Sequence, residues 1–177
     1  MNIILIGYRC TGKTQTGKFI AKALNLKSID IDNLIEKEAK KNISKIVADD
    51  GWKKFRELEK KAILNASDYS NAVISTGGGA LTENENIENL KKNSVVFWLI
   101  AEPEVIFERM QKDSKSATMR PNLTDEKDML LEIKTILKER EANYKRTSDY
   151  KIDTGNISKQ EVAQKIINIM NKLKQEK

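Results

Sequence analysis

Five short apolar runs punctuate this chain, and between them apolar residues recur every three or four positions. Continuous or alternating apolar character over four to seven residues marks strands, and the wider spacing marks amphipathic helices. The first run, Asn2-Ile3-Ile4-Leu5-Ile6, is rich in β-branched residues, the mark of a parallel strand buried on both faces. A helix carrying Phe19, Ile20, Ala23 and Leu24 follows. Lys27-Ser28-Ile29-Asp30-Ile31-Asp32 predicts a short second strand ending in acids. Residues 33–40 and 44–50 predict two short helices, the second with Ile46 and Val47, and residues 52–66 a longer one with Phe55, Leu58, Ala62 and Leu64 turned inward. Ala72-Val73-Ile74-Ser75 predicts a third strand, stopped by Gly77-Gly78-Gly79.

Residues 85–92 are polar and helical in pattern, and residues 94–100 predict a fourth buried strand. Pro103 stands near the first position of the next helix, where proline is favoured, and that helix runs to about Met110. Residues 111–124 are polar and loop-like, with Pro121 near their end. Residues 125–144 predict a long amphipathic helix carrying Met129, Leu130, Ile133 and Ile136 or Leu137. Tyr150-Lys151-Ile152-Asp153 predicts a fifth strand, and Ser158 caps a last helix whose stripe of Val162, Ile166, Met170 and Leu173 reads as core packing. There is no internal repeat, low-complexity linker or second domain, so residues 1–177 are expected to form one domain. Strands alternating with helices predict a parallel α/β sheet covered on both faces, with ligands beyond the carboxyl ends of its strands.

Composition narrows the chemistry. No stretch approaches the ~18 apolar residues of a membrane span, and the apolar run behind Met1 is too short for a secretory leader, so a cytoplasmic protein is expected. Its single cysteine, Cys10, cannot form an internal disulfide. The 32 Lys and Arg against 26 Asp and Glu leave a net charge of +6, but the lysines are interleaved with acids along helices. That distribution suits anionic small molecules better than nucleic acid, for which the chain carries no recognition module. There is no histidine, which excludes Ser-His and Cys-His devices and histidine-ligated metals. Proton transfer falls to a carboxylate, a lysine or Cys10.

The sharpest signal is Gly7-Tyr8-Arg9-Cys10-Thr11-Gly12-Lys13-Thr14, which fits the phosphate-binding loop at every fixed position and stands between a strand and a helix. Gly7 and Gly12 let the backbone curl with N–H groups inward, where they and the positive end of the helix hold phosphate oxygens. Lys13 reaches the outer phosphates and Thr14 offers its hydroxyl to Mg²⁺. Cys10 lies beside Lys13 at a helix start, an environment in which thiols are reactive, at a loop position expected to be indifferent to residue type.

Other residues gather at the same strand ends. On a strand, Asp30 and Asp32 would share one face; one acid would serve the metal through water and the other accept a proton, Asp30 suiting the first role and Asp32 the second, unless one of them is merely a helix cap. Arg56 and Glu59, three apart on a helix, read either as a surface ion pair or as a carboxylate grip whose fork is fixed by Glu59. Gly77, Gly78 and Gly79 read as a flexible turn or as a substrate floor that uses positive φ and close backbone approach. Arg120-Pro121 lies in the long polar stretch at residues 111–124, which reads as a lid whose arginine closes over transferring phosphate. Arg140, Tyr144 and Arg146 lie near the end of the long helix; Arg140 would meet an anionic group or only the helix C-terminus.

Taken in order, these pieces resemble the shikimate kinase family: the phosphate loop with Gly17 and Lys18 behind it, Asp30-x-Asp32, Gly51-x-x-x-Phe55-Arg56 with Glu59, Val73-Ile74-Ser75-Thr76-Gly77-Gly78-Gly79-Ala80, Arg120-Pro121, Arg140 with Tyr144, and Ile152-Asp153-Thr154. The resemblance runs from the first strand to about Asp153. It implies a P-loop NTPase fold of the nucleoside-monophosphate-kinase type, a five-stranded parallel sheet with helices on both faces. It implies phosphorylation of the 3-hydroxyl of shikimate by ATP with Mg²⁺, on the route to chorismate and the aromatic amino acids, by a monomer. By the resemblance, Asp32 activates the hydroxyl, Arg56 and Arg140 hold the carboxylate, and Gly78 and Gly79 contact ring hydroxyls. Arg120 and Lys13 stabilise the transferring group, and Thr14 with Asp30 serves the metal. The segment 152–156 borders the adenine. The expected nucleotide set is Gly7, Arg9, Cys10, Thr11, Gly12, Lys13, Thr14, Gln15, Arg120 and Thr154. The expected substrate set, drawn from residues 32–62 and beyond, is Asp32, Arg56, Glu59, Gly77, Gly78, Gly79 and Arg140.

The chain departs from the family pattern at Trp52, where glutamate is usual, at Asn122-Leu123 after Arg120-Pro121, and at Ala142-Asn143 before Tyr144; residues 111–119 are also long. These bear on lid geometry, ATP affinity and rate. Rival readings are another small-molecule kinase such as a gluconate kinase, a nucleotide-binding module without catalysis, and a nucleic-acid binder. Gluconate kinases have less reason to keep Arg56, Arg140 and the triple glycine together, and a dead module could lose Lys13 or Asp32.

Overall fold

A computed structural model describes residues 1–113, 123 and 128–176. In chain order the elements are β1 (Asn2–Ile6), α1 (Lys13–Leu24), β2 (Lys27–Asp30), α2 (Ile31–Ala39), α3 (Ile43–Ser67), β3 (Ala72–Ser75), a 3₁₀ turn (Ala80–Thr82), α4 (Asn84–Lys91), β4 (Ser94–Ile100), α5 (Pro103–Lys112), α6 (Met129–Thr147), β5 (Tyr150–Asp153) and α7 (Lys159–Gln175). The five strands form one sheet in the order β2-β3-β1-β4-β5, and every pairing is parallel.

The strands are apolar on both faces because helices cover both. Ile4 and Ile6 of β1 join Ile74, Val96 and Trp98 in a core closed by α2, α3, α4 and Tyr144. Ile3 and Leu5 point the other way, joining Val73, Phe97 and Leu99 against Ile20 and the Val162, Ile166 and Met170 stripe of α7. That alternation is the two-residue period of a strand. The last helix starts where the sequence reading put it: Ser158 accepts from the Glu161 N–H, and the Glu161 side chain accepts from the Ser158 N–H, a complete capping box.

Three local expectations change. The second strand stops at Asp30 and the chain turns directly into α2, so Ile31 and Asp32 are helical. Gly51, at φ 79° and ψ 169°, breaks the run from Ile43 to Ser67, which keeps the two expected helices distinct although they abut. Within the second of them Ile63, not Leu64, packs inward; Leu64 is 44% exposed because it lies one position off the stripe of Phe55, Ala62 and Ala66. In α6 the buried face is Glu132, Ile133, Ile136 and Tyr144, while Met129 is exposed. Among the described residues no helix is long and apolar enough to cross a membrane.

Candidate active site

All the loops at the carboxyl edge of the sheet converge, and the loop after β1 is the centre. Three residues there have positive φ: Gly7 at 137°, Cys10 at 61° and Gly12 at 91°. A side chain on Gly7 would collide with the Leu99 carbonyl of β4, so the loop lies tight against the sheet. Cys10 corrects an expectation: its position is not indifferent, because the left-handed conformation disfavours most L-residues. Thr11 Oγ1 donates to the Tyr8 carbonyl at 2.8 Å. Lys13, at the start of α1, folds back so that its ammonium donates to the Gly7 and Tyr8 carbonyls at 2.8 and 2.7 Å. The cation is thereby held over the mouth of the loop, where phosphate oxygens would be its natural acceptors.

The two aspartates do not share a strand face. Asp30 ends β2 and caps α2, accepting from the Asn33 N–H at 3.1 Å with one oxygen and from the Thr14 hydroxyl at 2.6 Å with the other. Asp32 lies in the first turn of α2, and a helical rise replaces the two-residue alternation expected of it. Both jobs considered for this pair are therefore divided: Asp30 is cap and partner of Thr14, and Asp32 projects elsewhere.

Two cavities meet at Asp32. An outer cleft, about 1710 Å³ including its open mouth, is lined by Cys10, Gly12, Lys13, Thr14, Gln15 and Asp30. An inner pocket, about 490 Å³ including its open mouth, is lined by Arg9, Arg56, Glu59, Gly77, Gly79 and Arg140. Asp32, Ile43 and Gly78 line both, and Asp32 is the one ionisable group among them. The outer cleft is the larger of the two, and the inner pocket is small.

The triple glycine builds the inner pocket, though not by the route expected. None of Gly77, Gly78 and Gly79 has positive φ. Their missing side chains leave room for the functional ones instead. A Cβ on Gly77 would stand 2.8 Å from Asp32 Oδ1 and 2.9 Å from Glu59 Oε1, and one on Gly78 would stand 3.6 Å from Arg140 Nη1. The Gly78 carbonyl accepts from Arg140 Nη1 at 2.7 Å and from the Tyr144 hydroxyl at 2.6 Å. Tyr144 is fully buried, stacked on Trp98 with ring centroids 5.5 Å apart, and burial pushes its hydroxyl up to about 12.

Arg56 and Glu59 form an ion pair on one helical face, and it is not a surface pair: Glu59 is 1% exposed. Its second oxygen, Oε1, has no hydrogen-bond partner among the described residues and faces Asp32 across Gly77. Burial pushes the Glu59 carboxyl up, partly offset by the Arg56 guanidinium beside it. Arg56 also lies over the rings of Phe55 and Trp52, 5.2 and 5.6 Å from their centroids. Trp52, a departure from the family pattern, is thus a wall of the inner pocket, as is Leu123.

Two placements differ from what the sequence predicts. Arg9, expected among nucleotide ligands, turns into the inner pocket and pairs with Glu132 of α6 at 3.2 Å. A pattern match fixes residue types and spacing, but not the direction each side chain of a curled loop takes. Thr154 does not line the cleft; its hydroxyl donates to the Ile100 carbonyl at 2.9 Å and accepts from Arg109 at 3.1 Å. Arg146 turns away to the Asn84 side chain. Arg109, which the sequence reading passed over, does line the cleft, donating also to the Thr154 carbonyl at 2.5 Å. No motif marks it; only its place at the end of an amphipathic helix after β4 was legible. Arg120 lies outside the described residues, as does all of the expected lid at 111–124 but residues 111–113 and 123.

Comparison with known proteins agrees with this geometry. The family model described as shikimate kinase matches residues 9–171. A shikimate kinase of Caldanaerobacter subterraneus subsp. tengcongensis is 42% identical over 173 residues, 98% of each chain. One of Thermoanaerobacter pseudethanolicus is 39% identical over the same length and shares. The solved structure of a shikimate kinase from Acinetobacter baumannii in complex with shikimate superposes with a TM-score of 0.90 at 29% identity, covering 98% of this chain and 94% of that one. With the family model spanning most of its length and relatives near 40% identity over nearly all of it, the chain belongs to the shikimate kinase family.

Proposed function

We propose that this chain transfers the γ-phosphoryl group of ATP to the 3-hydroxyl of shikimate, giving shikimate 3-phosphate and ADP, with Asp32 as the base. The observation that carries the assignment of roles is that Asp32 lines both cavities. A hydroxyl held in the inner pocket meets a phosphate held in the outer cleft at that carboxylate.

The inner pocket suits a small ring bearing a carboxylate. Arg56 has its own carboxylate partner in Glu59, and Arg9 has Glu132. Arg140 donates to the Gly78 carbonyl beside Tyr144 and, among the described residues, forms no ion pair within 4 Å, so a substrate carboxylate in the pocket would meet it there. Arg56 and Arg140 together would orient the ring by charge-assisted hydrogen bonds, and the backbone at Gly78 and Gly79 would meet its hydroxyls. Asp32 would accept the 3-hydroxyl proton as the oxygen attacks phosphorus and ADP leaves. Phosphoryl transfer asks mainly for positioning and charge stabilisation, so an ordinary carboxylate suffices and the absence of histidine is no handicap.

The loop N–H groups from Gly7 to Thr14 would hold the β-phosphate, and Lys13 would exchange its carbonyl acceptors for phosphate oxygens. Arg109 and the segment it holds, from Thr154 on, would border the base. Arg120 is assigned to the transferring group by the family pattern alone. The Thr14 hydroxyl and Asp30 carboxylate, two hard oxygen donors 2.6 Å apart at the cleft, fit Mg²⁺ held mostly by phosphate and water. When bound, the ion neutralises phosphate charge. The reading includes a cytoplasmic monomer.

ADP release with Mg-ATP, compared among shikimate, gluconate, nucleoside monophosphates and no acceptor, tests the proposal. Release with shikimate alone is expected. No release with shikimate from a folded protein that binds ATP would overturn it.

A further inference from the structure

Arg9 and Glu132 form an ion pair whose side chains are 8% and 6% exposed. They stand 123 residues apart in sequence, one in the loop after β1 and the other in the first turn of α6. Glu132 is in neither the ATP nor the shikimate set; Arg9 lends its backbone N–H to the phosphate loop, and its side chain enters the inner pocket. Eight residues beyond Glu132 on the same helix is Arg140, and four beyond that is Tyr144, both bonded to the Gly78 carbonyl. At ~1.5 Å per residue, the two attachments are about 12 Å apart along the helix axis. Ile133 and Ile136 of α6 also pack against α5, Lys134 pairs with Glu104 and Arg146 bonds Asn84; the Arg9–Glu132 pair adds the one attachment that ties the start of the helix to the phosphate loop. Gly78 itself is packed between the two sides, since a Cβ there would stand 3.4 Å from the Arg9 amide nitrogen and 3.6 Å from Arg140 Nη1.

The physics of such a pair suits positioning better than stability. Two charges taken out of water recover little net free energy when paired, but loss of one partner leaves the other buried and uncompensated, so the pair tolerates only one arrangement. Arg9 turns away from the outer cleft while Cys10, Lys13, Thr14 and Gln15 line it. A shift of α6 would therefore be felt on the acceptor side.

We infer that the buried Arg9–Glu132 pair is a positioning device: it holds α6 against the phosphate loop, sets Arg140 and Tyr144 over Gly78, and so governs affinity for the acceptor and not for the nucleotide. The inference rests on the assignment of Arg140 to the acceptor's carboxylate.

The test compares Glu132→Gln, Arg9→Lys and the apolar double variant R9M/E132L in the full chain. It reads KM for shikimate, kcat, and the dissociation constant of a fluorescent ADP analogue. Glu132→Gln should raise the shikimate KM about tenfold, with the ADP analogue's constant within about twofold of wild type. The double variant should lie closer to wild type than Glu132→Gln, because it removes the Arg9 charge that Glu132→Gln leaves uncompensated. An unchanged shikimate KM in Glu132→Gln overturns the inference. So does a parallel rise in both constants, which would mark the pair as a general support of the loop. Should Glu132→Gln fail to fold, Arg9→Lys is judged by the same two criteria. Arg140→Ala separates the carboxylate site from the positioning pair. If it leaves the shikimate KM unchanged, the carboxylate assignment fails; if it raises that KM while Glu132→Gln does not, the positioning role alone fails.

Discussion

Gly79 and Arg56 share one space: a Cβ built on Gly79 would stand 2.5 Å from Arg56 Nη2. The guanidinium is the end of a flexible side chain, so an added methyl group would push it aside and leave the backbone in place. Gly79→Ala should therefore raise the shikimate KM about tenfold, the ~1.5 kcal/mol of one charge-assisted hydrogen bond. Moving the guanidinium also loosens its ion pair with the buried Glu59, so stability should fall by about 1 kcal/mol. Steady-state kinetics and urea unfolding on the same preparation check both halves; a loss of stability with unchanged KM would mean that the glycine serves the fold.

Arg56→Ala removes the grip itself. The shikimate KM should rise by roughly two orders of magnitude, within the ~2–5 kcal/mol seen when one member of a buried charged pair is truncated. ATP binding, measured by titration calorimetry, should be nearly intact because Arg56 does not line the outer cleft. An unchanged KM would remove Arg56 from the carboxylate site.

Asp32→Asn keeps the shape of the first turn of α2 and removes the base. Since the cap of that helix is Asp30, the fold should be preserved. Turnover should fall by about 10²–10⁴, with circular dichroism unchanged. Wild-type turnover in this variant would exclude Asp32 as the proton acceptor.

Glu59 predicts a pH dependence of stability. Burial raises its carboxyl in the folded state, so the folded chain binds a proton more tightly than the unfolded chain does. Its contribution is fully present below the ordinary glutamate range of about 4.3 and is lost as pH rises through the raised folded value. Glu59→Gln should flatten the unfolding free energy over that window, and an identical pH profile in the two proteins would contradict the assignment.

Cys10 lines the outer cleft beside Lys13 and Thr14. A thiol reagent should slow turnover by crowding the loop, and saturating ATP should protect. Mass spectrometry of the labelled protein decides: equal labelling with and without ATP would place the thiol outside the nucleotide's footprint.

The legible part of the site was the part that local chemistry dictates. The phosphate loop, Arg56 with Glu59 on one helical face and the capped last helix each depend on residues within a few positions of one another. Asp32 was legible as a chemical group but not as a geometry. The strand ended two residues early, because Asp30 could accept the Asn33 N–H and start a helix in place of continuing the ladder. The glycines were legible as a demand for space near a ligand. The reason for it, that Asp32, Glu59, Arg140 and Arg56 press against them from α2, α3 and α6, was not.

The sequence by itself determined the order of strands and helices, the parallel sheet, the phosphate loop and the inventory of charged groups available to it. Those follow from periodicity and short-range hydrogen bonding. Only the tertiary structure decided which cavity each group enters: that Arg9 faces the inner pocket and Thr14 the outer cleft, that Arg109 and not Thr154 lines the latter, and that Glu132 meets a loop 123 residues away. The direction of a side chain in a curled loop, and its partner across the molecule, are set by how whole helices pack on the sheet. No spacing within one segment encodes that.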